Sequence, residues 1–134
     1  MKMTVAKALV SHQALQQLGN KPWPFQPSMV IAKNKSELAE VGKEYESQRQ
    51  ILVKKHGKQN EQGQPQVPPE KMEEFSTAVM ALQEEEIELD LKTVSLVDMR
   101  GSKKEDPEIE PNILEPLVWM FTMVGQKPSR SKRR

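Results

Sequence analysis

Residues 29–56 contain no proline and a single glycine, and within them Ile31, Leu38, Tyr45 and Leu52 recur every seven positions. That spacing draws one narrow apolar stripe along a long helix. Val30, Val41 and Val53 lie beside the stripe, and the remaining faces are charged or polar. At ~1.5 Å per residue the segment is a rod of about 40 Å, longer than one small core can cover on every side. Ser28 suits its N-cap and Gly57 its stop. Gly42, in its middle, costs up to ~1 kcal/mol relative to alanine, which predicts either close approach by another backbone or a bend.

A second helix is predicted over about residues 69–85. Pro69 is placed to open it, and Glu70, Glu73 and Glu74 fall in the first turn, where the macrodipole favours acids. Met72, Phe75, Val79 and Leu82 follow at spacings of three and four, the clearest amphipathic pattern in the chain. Between the two helices, residues 58–68 read KQNEQGQPQVP, a loop with one valine and little to bury. Two matching stripes joined by one loop predict an antiparallel helical hairpin.

The rest of the chain supplies shorter elements. Residues 5–18 are rich in good helix formers and stop at Gly19-Asn20, which predicts a helix. Residues 21–28, KPWPFQPS, carry three prolines and predict a stiff, polyproline-like connector with Trp23 and Phe25 as its apolar groups. Ile87, Leu89 and Leu91 alternate with charged residues before the parity changes at Val94 and Leu96. This predicts a bent strand or tiny hairpin over about 87–97, paired with residues 1–5 or with a second copy of the chain. Residues 100–111 read as a charged loop, and Leu114, Leu117, Val118, Phe121 and Val124 predict a last helix over about 112–124, with Pro116 tolerated in its first turn. The expected fold is mostly α with a minor β element, in a single α-rich domain spanning 1–125, followed by a basic tail at 126–134.

That tail holds Lys127, Arg130, Lys132, Arg133 and Arg134 with no acid. Removing those five from the chain's 20 basic residues leaves 15 against 19 acidic, so a net charge of +1 conceals a body of −4. With 36% hydrophobic residues and only six aromatic ones, the interior must be built from Leu, Val, Ile and Met and must be thin. A thin core suits a protein that gains stability by docking on something else. The absence of cysteine excludes disulfides, thiolate metal sites and thiol nucleophiles, and points to a reducing compartment. No run of ~18 apolar residues is present for a membrane span, and residues 1–10 lack the apolar stretch of a signal peptide.

The residues that carry chemistry are sparse. His12 and His56 lie on different predicted helices, with no motif that supplies a nucleophile and an orienting carboxylate, and both are read as exposed helix residues. Glu84, Glu85, Glu86, Glu88 and Asp90 straddle a helix end and a strand, so their carboxylates are expected to fan outward as a solvated face. No glycine-rich loop opens a helix at a lysine, so nucleotide hydrolysis is not expected. No catalytic, metal or cofactor residue is therefore assigned, and no small-molecule substrate. The candidate partner-binding residues are Trp23 and Phe25, between and beside prolines that pre-order the backbone, and the tail cations Lys127, Arg130, Lys132, Arg133 and Arg134. Those cations suit nucleic-acid phosphates, an acidic protein surface, or simple solubility.

The order of features, IAKNKSELAEVGKEYESQRQILVKKHG at 31–57, a polar loop, then EEFSTAVMALQEEEIELDLKTVSL at 73–96, resembles a family of small uncharacterised tailed-bacteriophage proteins. The likeness extends over about residues 28–124. Such proteins are encoded among phage structural and assembly genes, so the resemblance implies a non-enzymatic virion accessory or assembly protein that binds a capsid or tail component, made in the host cytoplasm and then virion-associated, with self-association as a further option. The alternative is an intracellular phage regulator or anti-defence protein that binds a host protein or nucleic acid through its basic tail. The proline-aromatic connector and the tail depart from the family pattern, so their roles are not carried over from it.

Overall fold

A computed structural model describes residues 1–101 and 108–122 of the chain, and the fold is mostly α with small two-stranded β ladders. Strand β1 (Lys2–Thr4) runs straight into helix α1 (Val5–Leu18), because Thr4 caps it: its Oγ1 accepts from Lys7 N at 3.1 Å. Helix α1 matches the expected bounds and buries Val5, Ala8, Ser11, Ala14, Leu15 and Leu18. These positions recur at three and four, so the whole length of α1 lies on the core.

Helix α2 (Phe25–His56) begins four residues before the expected start. The first turn of a helix has no intrahelical partner for its N–H groups, so Pro27 enters it without loss and is fully buried. The stiff connector is correspondingly shorter, and Ser28 is not a cap. Its Oγ donates to Trp23 O at 3.1 Å, and its N–H donates to Pro24 O at 3.0 Å. At the far end Gly57 is required: a Cβ there would sit 2.4 Å from Val53 O and 2.9 Å from Gln66 O. Gly42 does not meet another backbone, since a Cβ would find only Leu9 Cδ2 at 4.0 Å, an ordinary contact.

Beyond α2, β2 (Lys58–Gln59) and β3 (Pro65–Gln66) close a two-residue antiparallel ladder inside the expected loop. A 3₁₀ turn (Pro69–Lys71) leads into helix α3 (Met72–Glu84). Helix α3 runs back along the outer half of α2. His56 lies beside Glu74 and Phe75, and Gln83 Nε2 donates to Tyr45 Oη at 2.9 Å, so rising numbers in one helix meet falling numbers in the other.

The expected strand over 87–97 divides into three pieces. Strand β4 (Glu86–Glu88) pairs antiparallel with β1, placing Ile87 opposite Met3. After Leu89 the chain leaves the sheet and lies along α2, where the side chain of Asn34 holds the backbone of Lys92. Strand β5 (Val94–Ser95) follows, and residues 96–97, expected to be extended, begin helix α4 (Leu96–Arg100), capped by Ser95 Oγ on Asp98 N at 3.0 Å. The change of parity at Val94 therefore marks a strand leaving one sheet and entering another.

The expected helix over 112–124 is also shorter and mixed. Helix α5 (Pro111–Leu114) tightens into a 3₁₀ helix (Glu115–Met120), and β6 (Phe121–Thr122) then pairs parallel with β5. Residues 123 and 124, the last of that predicted helix, lie outside the described residues, as do the charged-loop residues 102–107.

The core lies away from the seam between α2 and α3. It gathers around α1: Leu15 and Leu18, Ile31 and Leu38 from the first half of α2, Met3, Leu89, Val94 and Met99 from the strand region, and Ile113, Leu117 and Met120 from the C-terminal segment. Helix α3 buries no residue, and α2 buries none after Leu38. The reason lies in side-chain size and number. Helix α1 presents small Ala8, Ser11 and Ala14 to its neighbours, so other elements approach it closely on several sides.

Candidate functional site

Trp23 and Phe25, on either side of Pro24, take opposite environments. Trp23 is half-buried against the core, and its Nε1 donates to Leu18 O at 2.8 Å, so the ring seals the end of α1. Phe25, the first residue of α2, is 74% exposed. The five tail cations, Lys127, Arg130, Lys132, Arg133 and Arg134, lie outside the described residues.

The two histidines are not the exposed helix residues expected. His12 is half-buried on α1. His56 has a side chain 15% exposed, with Nδ1 3.7 Å from Glu74 Oε2 and its ring edge-on to Phe75 at 6.5 Å between centroids. Neither has a nucleophile beside it among the contacts of the described residues. Of the acidic cluster, Glu88 accepts from the Met1 amine at 2.6 Å, and Asp90 pairs with Lys33 at 3.2 Å and Lys92 at 3.6 Å. The hydrogen bond and charge of Lys33, with the charge of Lys92, hold the Asp90 carboxyl below its ordinary range. Among the described residues no group of three His, Asp or Glu side chains is placed to hold a metal, and no helix is long and apolar enough to cross a membrane.

A groove of about 620 Å³ lies where α2, the end of α3, β4 and the start of α1 meet. Its floor is apolar, made by Val5, Val41, Leu82, Ile87 and Leu89, each buried or half-buried. Its walls are acidic. Glu37, Glu40 and Glu44 line it from α2 and Glu85 from the α3–β4 junction, with Tyr45 and Gln48 toward the outer end. Among the described residues no basic side chain lines it. Three of the glutamates have short contacts: Glu37 Oε2 accepts from Asp90 N at 3.3 Å, Glu40 meets the exposed Lys43 at 3.3 Å, and Glu44 accepts from Gln48 Nε2 at 2.8 Å. Only the second of these brings a cation.

A smaller hollow of about 470 Å³ lies between α1 and the C-terminal 3₁₀ helix, where Val10 and Val118 are both exposed. Its back wall is fixed by Ser11, which is fully buried. Ser11 Oγ donates to Pro116 O at 3.3 Å and accepts from Trp119 Nε1 at 3.0 Å. The third notable surface is the outer half of α2 with α3, where Ile51 is 54% and Met80 59% exposed, with Met72 exposed as well.

The groove was not foreseen, although part of it was written in the chain. Glu37, Glu40 and Glu44 recur at three and four, one face of one helix, beside Val41 and Tyr45. A face like that reads as solvated unless it is known that β4 folds in beside it. Comparison of the chain with protein-family models, with curated protein sequences and with solved structures returns no match.

Proposed function

We propose that the chain is a non-enzymatic accessory or assembly protein of a tailed-phage virion, which attaches to a capsid or tail component through the arm formed by the outer half of α2 and α3. The resemblance of residues 28–124 to phage proteins motivates the virion setting. One structural observation carries the docking role: α3 and all of α2 beyond Leu38 contain no buried residue, yet they carry Ile51, Met72 and Met80 in solvent. Hydrophobic surface that a chain does not use for its own core, displayed on regular helices, is what a partner surface can cover. The half-buried seam of Tyr45, Leu52, Phe75, Val79 and Leu82 holds the two helices in register without consuming their outer faces.

The experiment is retention of the tagged full chain on purified particles of the phage that encodes it. Ile51→Asp and Met80→Asp place charges on exposed positions, so folding is expected to be kept within ~0.5 kcal/mol. Loss of retention with an unchanged melting curve supports the arm. Undiminished retention of both variants, or absence of the wild-type chain from particles, overturns it.

A further inference from the structure

We infer that the acid-walled groove is the seat of the chain's own basic segment, residues 130–134, folded back from the C-terminal strand. The groove shares α2 and α3 with the arm, but Ile51, Met72 and Met80 are not among its lining residues, so it is tested apart from the virion reading.

The first support is charge. Glu37, Glu40, Glu44 and Glu85 line the groove with no basic residue among its lining, and of the four only Glu40 has a cation within ion-pair distance among the described residues. Three of these carboxylates share about 10 Å of one helix, where like charges repel. The chain contains one run that answers them: Arg130, Lys132, Arg133 and Arg134 within five positions and without an acid. The floor is apolar, and the aliphatic stems of lysine and arginine lie well on apolar surface while their charged ends reach outward to carboxylates. A simple apolar peptide would leave the walls unpaired, and an anionic ligand would be repelled.

The second support is reach. Thr122 is paired with Ser95 in the parallel ladder, about 5 Å away. Five residues separate Ser95 from Asp90, at most roughly 18 Å of extended chain. Asp90 N in turn touches Glu37 Oε2 at 3.3 Å. The near wall of the groove is therefore no farther than roughly 27 Å from Thr122, and Glu44, seven helical residues on, no farther than about 38 Å. Residues 130 and 134 lie eight and twelve positions past Thr122, which span up to about 28 Å and 42 Å. Tethered at that length, the segment is present at an effective concentration on the order of millimolar, which favours it over a free basic peptide of equal affinity.

Zero-length carbodiimide coupling of the full chain tests this, because it joins a lysine amine only to a carboxylate in contact. At low salt the expected product keeps the mass of one chain and links Lys132 to Glu40, Glu44 or Glu85. The links should fade at about 0.5 M salt, where the Debye length falls to a few ångströms, and should vanish in a Glu40→Gln/Glu44→Gln/Glu85→Gln variant that retains the wild-type melting curve. Links from Lys132 spread equally over Glu61, Glu70 and Glu73 overturn the inference, as do links confined to a dimer-mass product or no links at all. If the triple variant unfolds, the salt series on the wild-type chain still decides.

Discussion

The side-chain amide of Asn34, on α2, makes two hydrogen bonds to the backbone of Lys92: Nδ2 donates to Lys92 O at 2.8 Å and Oδ1 accepts from Lys92 N at 2.8 Å. Asn34 is fully buried. An asparagine amide presents one donor and one acceptor side by side, as a neighbouring strand's backbone would, so it satisfies a segment that has just left β4 and has not yet entered β5. Asn34→Leu removes both partners and leaves the Lys92 backbone groups without them, a loss of about 2–4 kcal/mol. Asn34→Asp retains the acceptor but faces Lys92 O with a second oxygen, so it should not restore stability. Urea denaturation of the three chains reads both effects.

The glycine within α2 and the glycine that ends it should respond with opposite sign to the same substitution. Gly42→Ala fits, with Leu9 at ordinary contact distance, and should stabilise by about 0.5–1 kcal/mol because alanine is the better helix former. Gly57→Ala forces a methyl against Val53 O and Gln66 O, and should destabilise by more than Gly42→Ala gains. Thermal melts of the two single variants decide.

Ser11 connects α1 to the C-terminal segment through Pro116 and Trp119. In Ser11→Ala the indole N–H loses its acceptor in a partly buried site, at about 1–3 kcal/mol. Trp119 emission should shift to the red as the ring seeks water. A Trp23→Phe background isolates that signal.

Asp90 titrates below the usual carboxylate range because it is hydrogen-bonded to and charge-paired with Lys33, with Lys92 adding charge. A depressed folded value means that the unfolded chain binds its proton first as pH falls. The contribution of the pair to stability is therefore present at neutral pH and is lost as acid brings the pH down through the folded value. Carbon-detected NMR titration of the Asp90 carboxyl should show this, with Lys33→Met moving the midpoint upward. The pair is at the surface, so the gain should shrink with salt.

Hydrogen exchange should divide the helices. Amides of α1, which lies on the core along its whole length, should open only with global unfolding. Those of α3, which buries nothing, should exchange through a local opening of the arm at markedly lower free energy. Equal protection in α1 and α3 would contradict the separation of core and arm.

The local parts of this architecture were legible in the residues themselves. Helix α1 ends at Leu18 and α2 at His56, as the glycines after them indicate, and α3 begins within the predicted segment opened by Pro69. The alternation around Ile87 marked β4, and β1 is the partner that the N-terminal residues offered. Each of these depends on propensity, capping or period, interactions that close within a few positions of the chain. The core, the groove and the C-terminal ladder depend on pairs distant in sequence. Asn34 interrupts the stripe between Ile31 and Leu38, a visible sign of a buried polar role, but its partner lies 58 residues away. Phe121 was read as one position of a helical stripe, yet a parallel partner at Val94 made it a strand residue. Likewise Glu37, Glu40 and Glu44 are an ordinary charged face until Ile87 and Leu89 close an apolar floor against them. A stripe states that a face will be covered. Only the folded chain decides by what, because many faces compete for the same small core and the closest-packing set prevails.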